Sequence, residues 1–341
     1  MEIKKYEIDV LNVADADAIF IHFEDGNGIE RVISIDAGRS ANGEDVAKFV
    51  RNRYHLDKID MAICTHCDDD HYGGFINMIE QYEKNPDEGV KIETLWINDP
   101  GKYVDADDFK RYQKNENAKN KIRSVYTLKG SEKNLLKIAK AAGIPIYDVF
   151  SEGGVYKSAY SVIKFLGPTR KFFEELVPHF DEDMKPYDTT IDNEDDTKLV
   201  EGKCLSPKLD KNGDDDSSHN QSSVIILFEP KKGEKFVFMG DAGYAAFNNM
   251  KDEHRDMMRN AFVLKVPHHG SKYNLNSTMI NVINPHVAIV SAKSEEKYFS
   301  PLVKNALKRK GAKVYCTMKH GSLRYNHGFE ERADYSIVQP L

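Results

Sequence analysis

Residues 65–74 read Thr-His-Cys-Asp-Asp-Asp-His-Tyr-Gly-Gly, directly after the apolar run Met61-Ala62-Ile63-Cys64. Four side chains able to hold a metal, His66, Asp68, Asp70 and His71, fall within six residues. A short apolar run leading into clustered polar residues reads as a buried strand running into a loop. A loop at a strand end can aim several ligands at one point, so the fold must bring that terminus to an enclosed place. Imidazole and carboxylate together suit a borderline divalent ion such as zinc, manganese or iron. Gly73-Gly74 lets the backbone turn tightly behind the ligands. The alternative, a polar turn carrying stray histidines, leaves the downstream motifs unexplained.

A chain of 341 residues is long enough for one elaborated domain or two small ones. With 40% hydrophobic and 30% charged residues it reads as an ordinary globular protein. No apolar stretch reaches membrane-spanning length and the first residues lack the apolar segment of a signal peptide, so an intracellular, cytoplasmic protein is expected. Of the four cysteines (Cys64, Cys67, Cys204, Cys316) only Cys64 and Cys67 make a C-x-x-C, and it wraps a histidine. Reduced, partly buried thiols are the default for such a chain. The net charge of −7 argues against broad, non-specific nucleic-acid binding. Residues 181–216 hold 13 acidic residues against 5 lysines, so the remainder is close to neutral and a nucleic-acid substrate stays open.

Alternation over Tyr6–Val13, followed by Ala18–Phe23, a turn at Gly26-Asn27-Gly28 and Arg31–Asp36, predicts a series of hairpin strands. Helix is expected over Ala47–Tyr54 and Gly74–Tyr82, and strand over Lys58–Cys64 and Thr94–Ile97. Residues 105–145 are Lys-rich with helical spacing and read as a helical insertion. The stretch 181–216 has few apolar residues and reads as a mobile acidic loop or lid. Strands return at Ser223–Phe228, Lys235–Met239, Phe262–Val266, Val287–Ser291 and Lys313–Cys316, with a helix at Leu302–Lys310. The alternation of strand and helix predicts a single α/β layered domain over residues 1–341.

The motifs resemble those of the metallo-β-lactamase fold superfamily. Its H-x-H-x-D-H stands here as His66-Cys67-Asp68-Asp69-Asp70-His71, with Asp68 in place of the second histidine. Its bridging aspartate in a G-D-[AT] turn matches Gly240-Asp241-Ala242, and the histidine before the preceding hairpin matches His219. Within the superfamily the chain looks most like the soluble hydrolase domain of ComEC-type competence proteins and their free-standing relatives. Ser34–Gly38 matches I-D-x-G, Asn220–Val224 matches N-x-S-[LV]-V, and Leu264–Ser271 matches L-K-V-x-H-H-G-S. Relatives often carry Y-G-H-P where this chain has Tyr298-Phe299-Ser300-Pro301, so Ser300 replaces a histidine. The resemblance implies a four-layer αββα sandwich with a helical insert and an acidic loop, holding two divalent ions.

On that pattern one ion takes His66, Asp68 and His219. The second takes Asp70 and His71, with His269 as a further candidate, and Asp241 bridges the two. Two such ions can share a hydroxide near neutral pH and stabilise charge on a carbonyl or phosphoryl oxygen. Asp68, a hard oxygen ligand, shifts preference from zinc toward manganese. His268 or His269 is also a candidate proton donor, and Asp70 is counted as catalytic with them. Lys265 and Lys272 could face an anionic substrate. Asp17 and Asp36 are read as residues that cap turns or orient ligand histidines. His286, His320 and His327 are read as surface or packing histidines.

These readings favour a metal-dependent phosphodiesterase or nuclease acting on an anionic substrate such as nucleic acid or a nucleotide. A hydrolase of a lactone, thioester or amide is the alternative, and a non-catalytic metal-binding module the third reading. No membrane partner is expected, and nothing in the sequence sets the oligomeric state.

Overall fold

Strands that are apolar on both faces need a sheet on one side and helices on the other. The computed structural model shows that layering. It describes residues 3–105, 115–152, 161–180, 206, 208–211, 213–293, 299–332 and 339–341. In chain order the strands are β1 (Tyr6–Val10), β2 (Ile19–Glu24), β3 (Glu30–Ile35), β4 (Lys58–Ile59), β5 (Met61–Ile63), β6 (Lys91–Ile92), β7 (Leu95–Trp96) and β8 (Ile146–Tyr147). The second half supplies β9 (Ile163–Gly167), β10 (Ile225–Lys231), β11 (Glu234–Phe238), β12 (Val263–Lys265), β13 (Val287–Val290), β14 (Lys313–Cys316) and β15 (Leu323–His327). Among the described residues one sheet runs β15-β1-β2-β3-β5-β7-β8 and the other β14-β13-β12-β11-β10-β9, with β4 and β6 as a small separate pair.

Side-chain alternation separates the layers. Ile19, Ile21 and Phe23 of β2 join Ile226 and Phe228 of β10 and Phe236 and Phe238 of β11 in a core between the sheets. Phe20 points the other way, onto helices α1 (Gly43–Phe49) and α2 (Asp69–Lys84), whose Val46, Phe75, Ile76 and Ile79 share its cluster. Leu227 and Val237 likewise leave the inter-sheet core for the opposite helical layer. Each fully buried apolar side chain of this size contributes about 1.5–3 kcal/mol relative to exposure, so a one-residue slip of register would reverse many such terms.

One expectation changes. The ligand segment is helical: Asp68 is the N-cap of α2, and Asp69, Asp70 and His71 form its first turn. The expected loop is thus a strand end followed at once by a helix. Within 105–145, α3 (Glu116–Arg123) and α4 (Leu135–Ala141) pack into the outer layer of the first sheet, where Ile122, Leu135 and Ala139 share the cluster of α2. Apolar positions 135, 136 and 139 on one face of α4 drive that burial. In the acidic stretch most residues, with Cys204, lie outside the described residues, but Asp215 is described and buried.

The remaining helices are α5 (Arg170–Leu176), α6 (Ser218–Gln221), α7 (Tyr244–Asn248), α8 (Asp252–Met257), α9 (Ser277–Ile283), α10 (Pro301–Lys310) and α11 (Thr317–His320). Residues of α9 and α10 cover the outer face of the second sheet. No helix among the described residues is long and apolar enough to cross a membrane.

Candidate metal centre

The ends of β3, β5, β11 and β12 meet at one edge of the sandwich, and each leads into a site residue. Asp36 follows β3, His66 follows β5, Asp241 follows β11, and His268-His269 follow β12. Gly74 lets α2 come down onto this edge, because a Cβ there would lie 1.9 Å from the carbonyl oxygen of Ala37.

Hydrogen bonds fix the direction of each imidazole. Thr65 donates its hydroxyl hydrogen to Asp36 Oδ2 (2.8 Å) and its backbone N–H to Oδ1 (2.8 Å). With that hydrogen committed, Thr65 Oγ1 accepts from His66 Nδ1 at 3.1 Å. His71 Nδ1 donates to Asp36 Oδ2 at 2.7 Å. His269 Nδ1 donates to the carbonyl of Ser291 at 2.9 Å. Asn274, fully buried, donates from Nδ2 to Asp215 Oδ2 (2.6 Å) and to the Asp241 carbonyl (2.8 Å). Its Oδ1 therefore faces His268 Nδ1, 2.9 Å away, and accepts from it. All four histidines thus turn Nε2 toward the centre, as ligand histidines do when an outer partner holds Nδ1.

At that centre stands Asp241. Its Oδ2 lies 3.4 Å from His71 Nε2, 3.7 Å from His268 Nε2 and 3.8 Å from His66 Nε2. His66 Nε2, His71 Nε2 and Asp241 Oδ1 are buried and make no hydrogen bond among the described residues. Bare imidazole nitrogens ringed around a carboxylate repel it unless positive charge lies between them. Two ligand atoms about 2.1 Å from one tetrahedral ion stand about 3.4 Å apart, close to the spacing found. The residues therefore fit divalent ions. Burial works against charge here, yet Asp241, Asp36 and Asp70 raise the pKa of His71 well above its ordinary value. The carboxylates favour positive charge at this point, whether on an ion or on a protonated ring.

Among the described residues ligand atoms gather in four sets: His66, His71 and Asp241; Asp70, His71 and His269; Cys67, Asp68 and His219; and Asp17, Asp36 and His71, where Asp36 already holds His71 Nδ1. His269 Nε2 lies 3.5 Å from Asp70 Oδ2. Asp68 reaches both ways, with Oδ2 3.6 Å from His66 Nε2 and Oδ1 2.9 Å from His219 Nδ1. Of the expected set of His66, Asp68 and His219, Asp68 thus lies between the two histidines, His66 also near Asp241 and His219 near Cys67. The other ring nitrogen of His219 faces the Phe180 carbonyl at 3.3 Å. Burial opposes a charge on this ring, but Cys67 and Asp68 outweigh it and raise its pKa to about 11.

Several neighbours sit differently from expectation. Lys265 is buried between the sheets with Nζ 2.6 Å from Asp17 Oδ2, so it faces a carboxylate and not a substrate. Lys272 lies over the Tyr273 ring, 5.4 Å from its centroid. Ser300 caps α10, its Oγ accepting from Leu302 N, while its own N–H holds the Gly270 carbonyl. It steadies the His268-His269-Gly270 turn without joining the ligands. That turn has three successive positive φ values, 45°, 53° and 85°, a strained backbone at two non-glycine residues. His286 is exposed, His320 bonds its own helix start at Cys316, and His327 stacks on Tyr6.

Residues that the sequence did not single out are Thr65, Asn274, Asp215 and Arg39. Arg39 is half-exposed at the rim, 2.7 Å from Asp69 Oδ1 and 3.4 Å from Asp70 Oδ2. The usable signal was the Asn220 motif: Asn220 Nδ2 donates to Asp215 at 2.6 Å, and Ser223 Oγ accepts from the Asp241 backbone N–H at 3.1 Å.

No family model matches the chain. The ComE operon protein 3 of Bacillus subtilis (strain 168) is 29% identical over 138 residues, which are 38% of this chain and 16% of that protein. The chain thus corresponds to a small part of that relative's length. Among solved structures, the metallo-beta-lactamase fold protein YhfI from Bacillus subtilis aligns over 95% of this chain and 98% of its own, at 11% identity and a TM-score of 0.43. A diphosphatase from the PhnP family aligns over 92% of this chain and 84% of its own (12% identity, TM-score 0.40). A long form RNase Z from yeast aligns over 94% of this chain and 41% of its own (13% identity, TM-score 0.40). Scores this low carry no argument by themselves. The layers and the strand-end site described above are what match the αββα metallo-β-lactamase sandwich that the motifs resemble.

Proposed function

We propose that the chain is a metal-dependent hydrolase that cleaves a phosphoester, as a phosphodiesterase or nuclease on an anionic substrate such as nucleic acid or a nucleotide. The observation that carries this reading is Asp241 Oδ2 set among three inward imidazole nitrogens at 3.4–3.8 Å, two of them buried without a hydrogen bond. His66, Asp68, Asp70, His71, His219, Asp241 and His269 would hold two divalent ions, zinc or manganese. When bound, these would lower the pKa of a water and stabilise negative charge on a phosphoryl oxygen.

The chain's own groups complete the reading. Asp36, Thr65 and Ser291 hold the ligand rings in one orientation, so little reorganisation is needed when a substrate arrives. His268 stands beside Asp241, its Nε2 3.7 Å from Oδ2, and would exchange a proton with the reacting oxygen. Arg39 at the rim is paired with Asp69 and Asp70 and would meet a substrate anion only by exchanging those carboxylates.

Hydrolysis of bis(p-nitrophenyl) phosphate by metal-stripped protein resupplied with Mn²⁺ or Zn²⁺, beside Asp70→Ala, tests this. Turnover that requires metal and vanishes in a folded Asp70→Ala supports it. Metal-loaded protein that leaves the diester intact but hydrolyses a lactone or thioester sinks it in favour of a carbonyl substrate.

A further inference from the structure

We infer that one ion of the centre is held by Cys67, Asp68 and His219, which makes Cys67 a metal ligand. This rests on the metal-centre reading above and assigns one of its ions to a different residue set from the one the motifs imply. One ligand atom from each of the three residues lies within 4.8 Å of the other two. His66 belongs with His71 and Asp241. Asp68 is shaped for a shared role, with Oδ1 turned to His219 at 2.9 Å and Oδ2 to His66 at 3.6 Å.

Cys67 is buried where β5 gives way to α2, one residue before the helix N-cap. The second thiol of the C-x-x-C is committed elsewhere: Cys64 Sγ donates to the His66 carbonyl at 3.0 Å, bracing the loop. The two cysteines therefore divide into one that shapes the turn and one that lies against Asp68 and His219. Sulfur, oxygen and nitrogen from three side chains make a three-ligand set, the number a catalytic zinc site uses while keeping one position open. A thiolate is a soft ligand and moves the preference from manganese back to zinc, against the effect of Asp68 alone. The metal displaces the thiol proton on binding.

The test is a Co²⁺ titration of the metal-stripped full chain, followed by absorption. Thiolate-to-cobalt charge-transfer absorption in the near ultraviolet is expected during the titration. It should be lost in Cys67→Ser, and kept when Cys64, Cys204 and Cys316 are all changed to Ser. The triple variant decides the matter even where Cys67→Ser fails to fold. Saturation with two Co²⁺ and no such band, or a band that survives Cys67→Ser, overturns the inference and leaves the metal-centre reading standing. Failure to bind any Co²⁺ overturns both.

Discussion

His71 and Asp36 meet at 2.7 Å, Nδ1 to Oδ2, with both side chains buried. Asp36 also takes both donors of Thr65, so one carboxylate sets the orientation of His71 directly and of His66 through a hydroxyl. In Asp36→Asn an amide can no longer accept from all three partners. Ion affinity, measured by chelator competition, should fall about 10–100-fold. An unchanged affinity would show that the rings hold their direction without Asp36.

Asn274 satisfies Asp215, the Asp241 carbonyl and His268 in only one amide orientation. Asp215→Asn is nearly isosteric but removes one of the two acceptors that hold the amide in that orientation, leaving only the Asp241 carbonyl. Turnover should drop about 10–100-fold while two ions per chain remain bound. Loss of an ion instead would place His268 among the ligands.

Lys265 and Asp17 form a buried ion pair at 2.6 Å. Lys265→Met strands the carboxylate and should destabilise the chain by about 3–5 kcal/mol in urea unfolding. The double variant Lys265→Met with Asp17→Asn should recover much of that. Equal destabilisation in both would mean that shape and not charge sets the loss.

Glu7 receives His22 Nδ1 at 2.8 Å and the guanidinium groups of Arg332 and Arg324, far along β1 from the metal edge. Burial works to raise its pKa, but His22, Arg332 and Arg324 outweigh that and hold it below the ordinary 4.5. A depressed carboxylate stabilises the fold above its unfolded pKa, and that stability is lost as pH falls through the folded value. Glu7→Gln should therefore lower stability at neutral pH by about 1.5–3 kcal/mol, with the gap to wild type closing below pH 4.5. A gap that stays constant with pH would contradict the ionic account.

Gly74→Ala would set a methyl group 1.9 Å from the Ala37 carbonyl oxygen. Since that neighbour is backbone, α2 must shift, and a loss of about 1–3 kcal/mol or more is expected together with weaker ion binding. Wild-type stability with unaltered binding would show that the Asp36–Ser40 loop yields freely.

Local chemistry made much of this legible. Alternation over Tyr6–Val13 placed β1, because a period of two follows from the pleat, and the apolar run Ala18–Phe23 placed β2. His66, Asp70, His71 and Asp241 announced themselves as ligand types at strand ends. β9 and β15, five residues each, were not read, since short segments that mix apolar and polar residues carry little periodic signal. The helical state of Asp69–His71 was missed because acidic residues in a first turn look like a polar loop until α2 is seen to begin there.

What the sequence alone determined was the set of residue types able to hold a cation, and the strands that deliver them. Which nitrogen each histidine presents, which side chains gather at one point, and which stand behind them were decided only in the fold. Asp36 lies 35 residues from His71, and Asn274 lies 59 from Asp215. Orientation depends on contacts between distant segments, and those exist only once two sheets close on one core. Lys265 shows the same point from the other side. Its place in a strand was readable, but whether its face met solvent or the opposite sheet was a property of the packing.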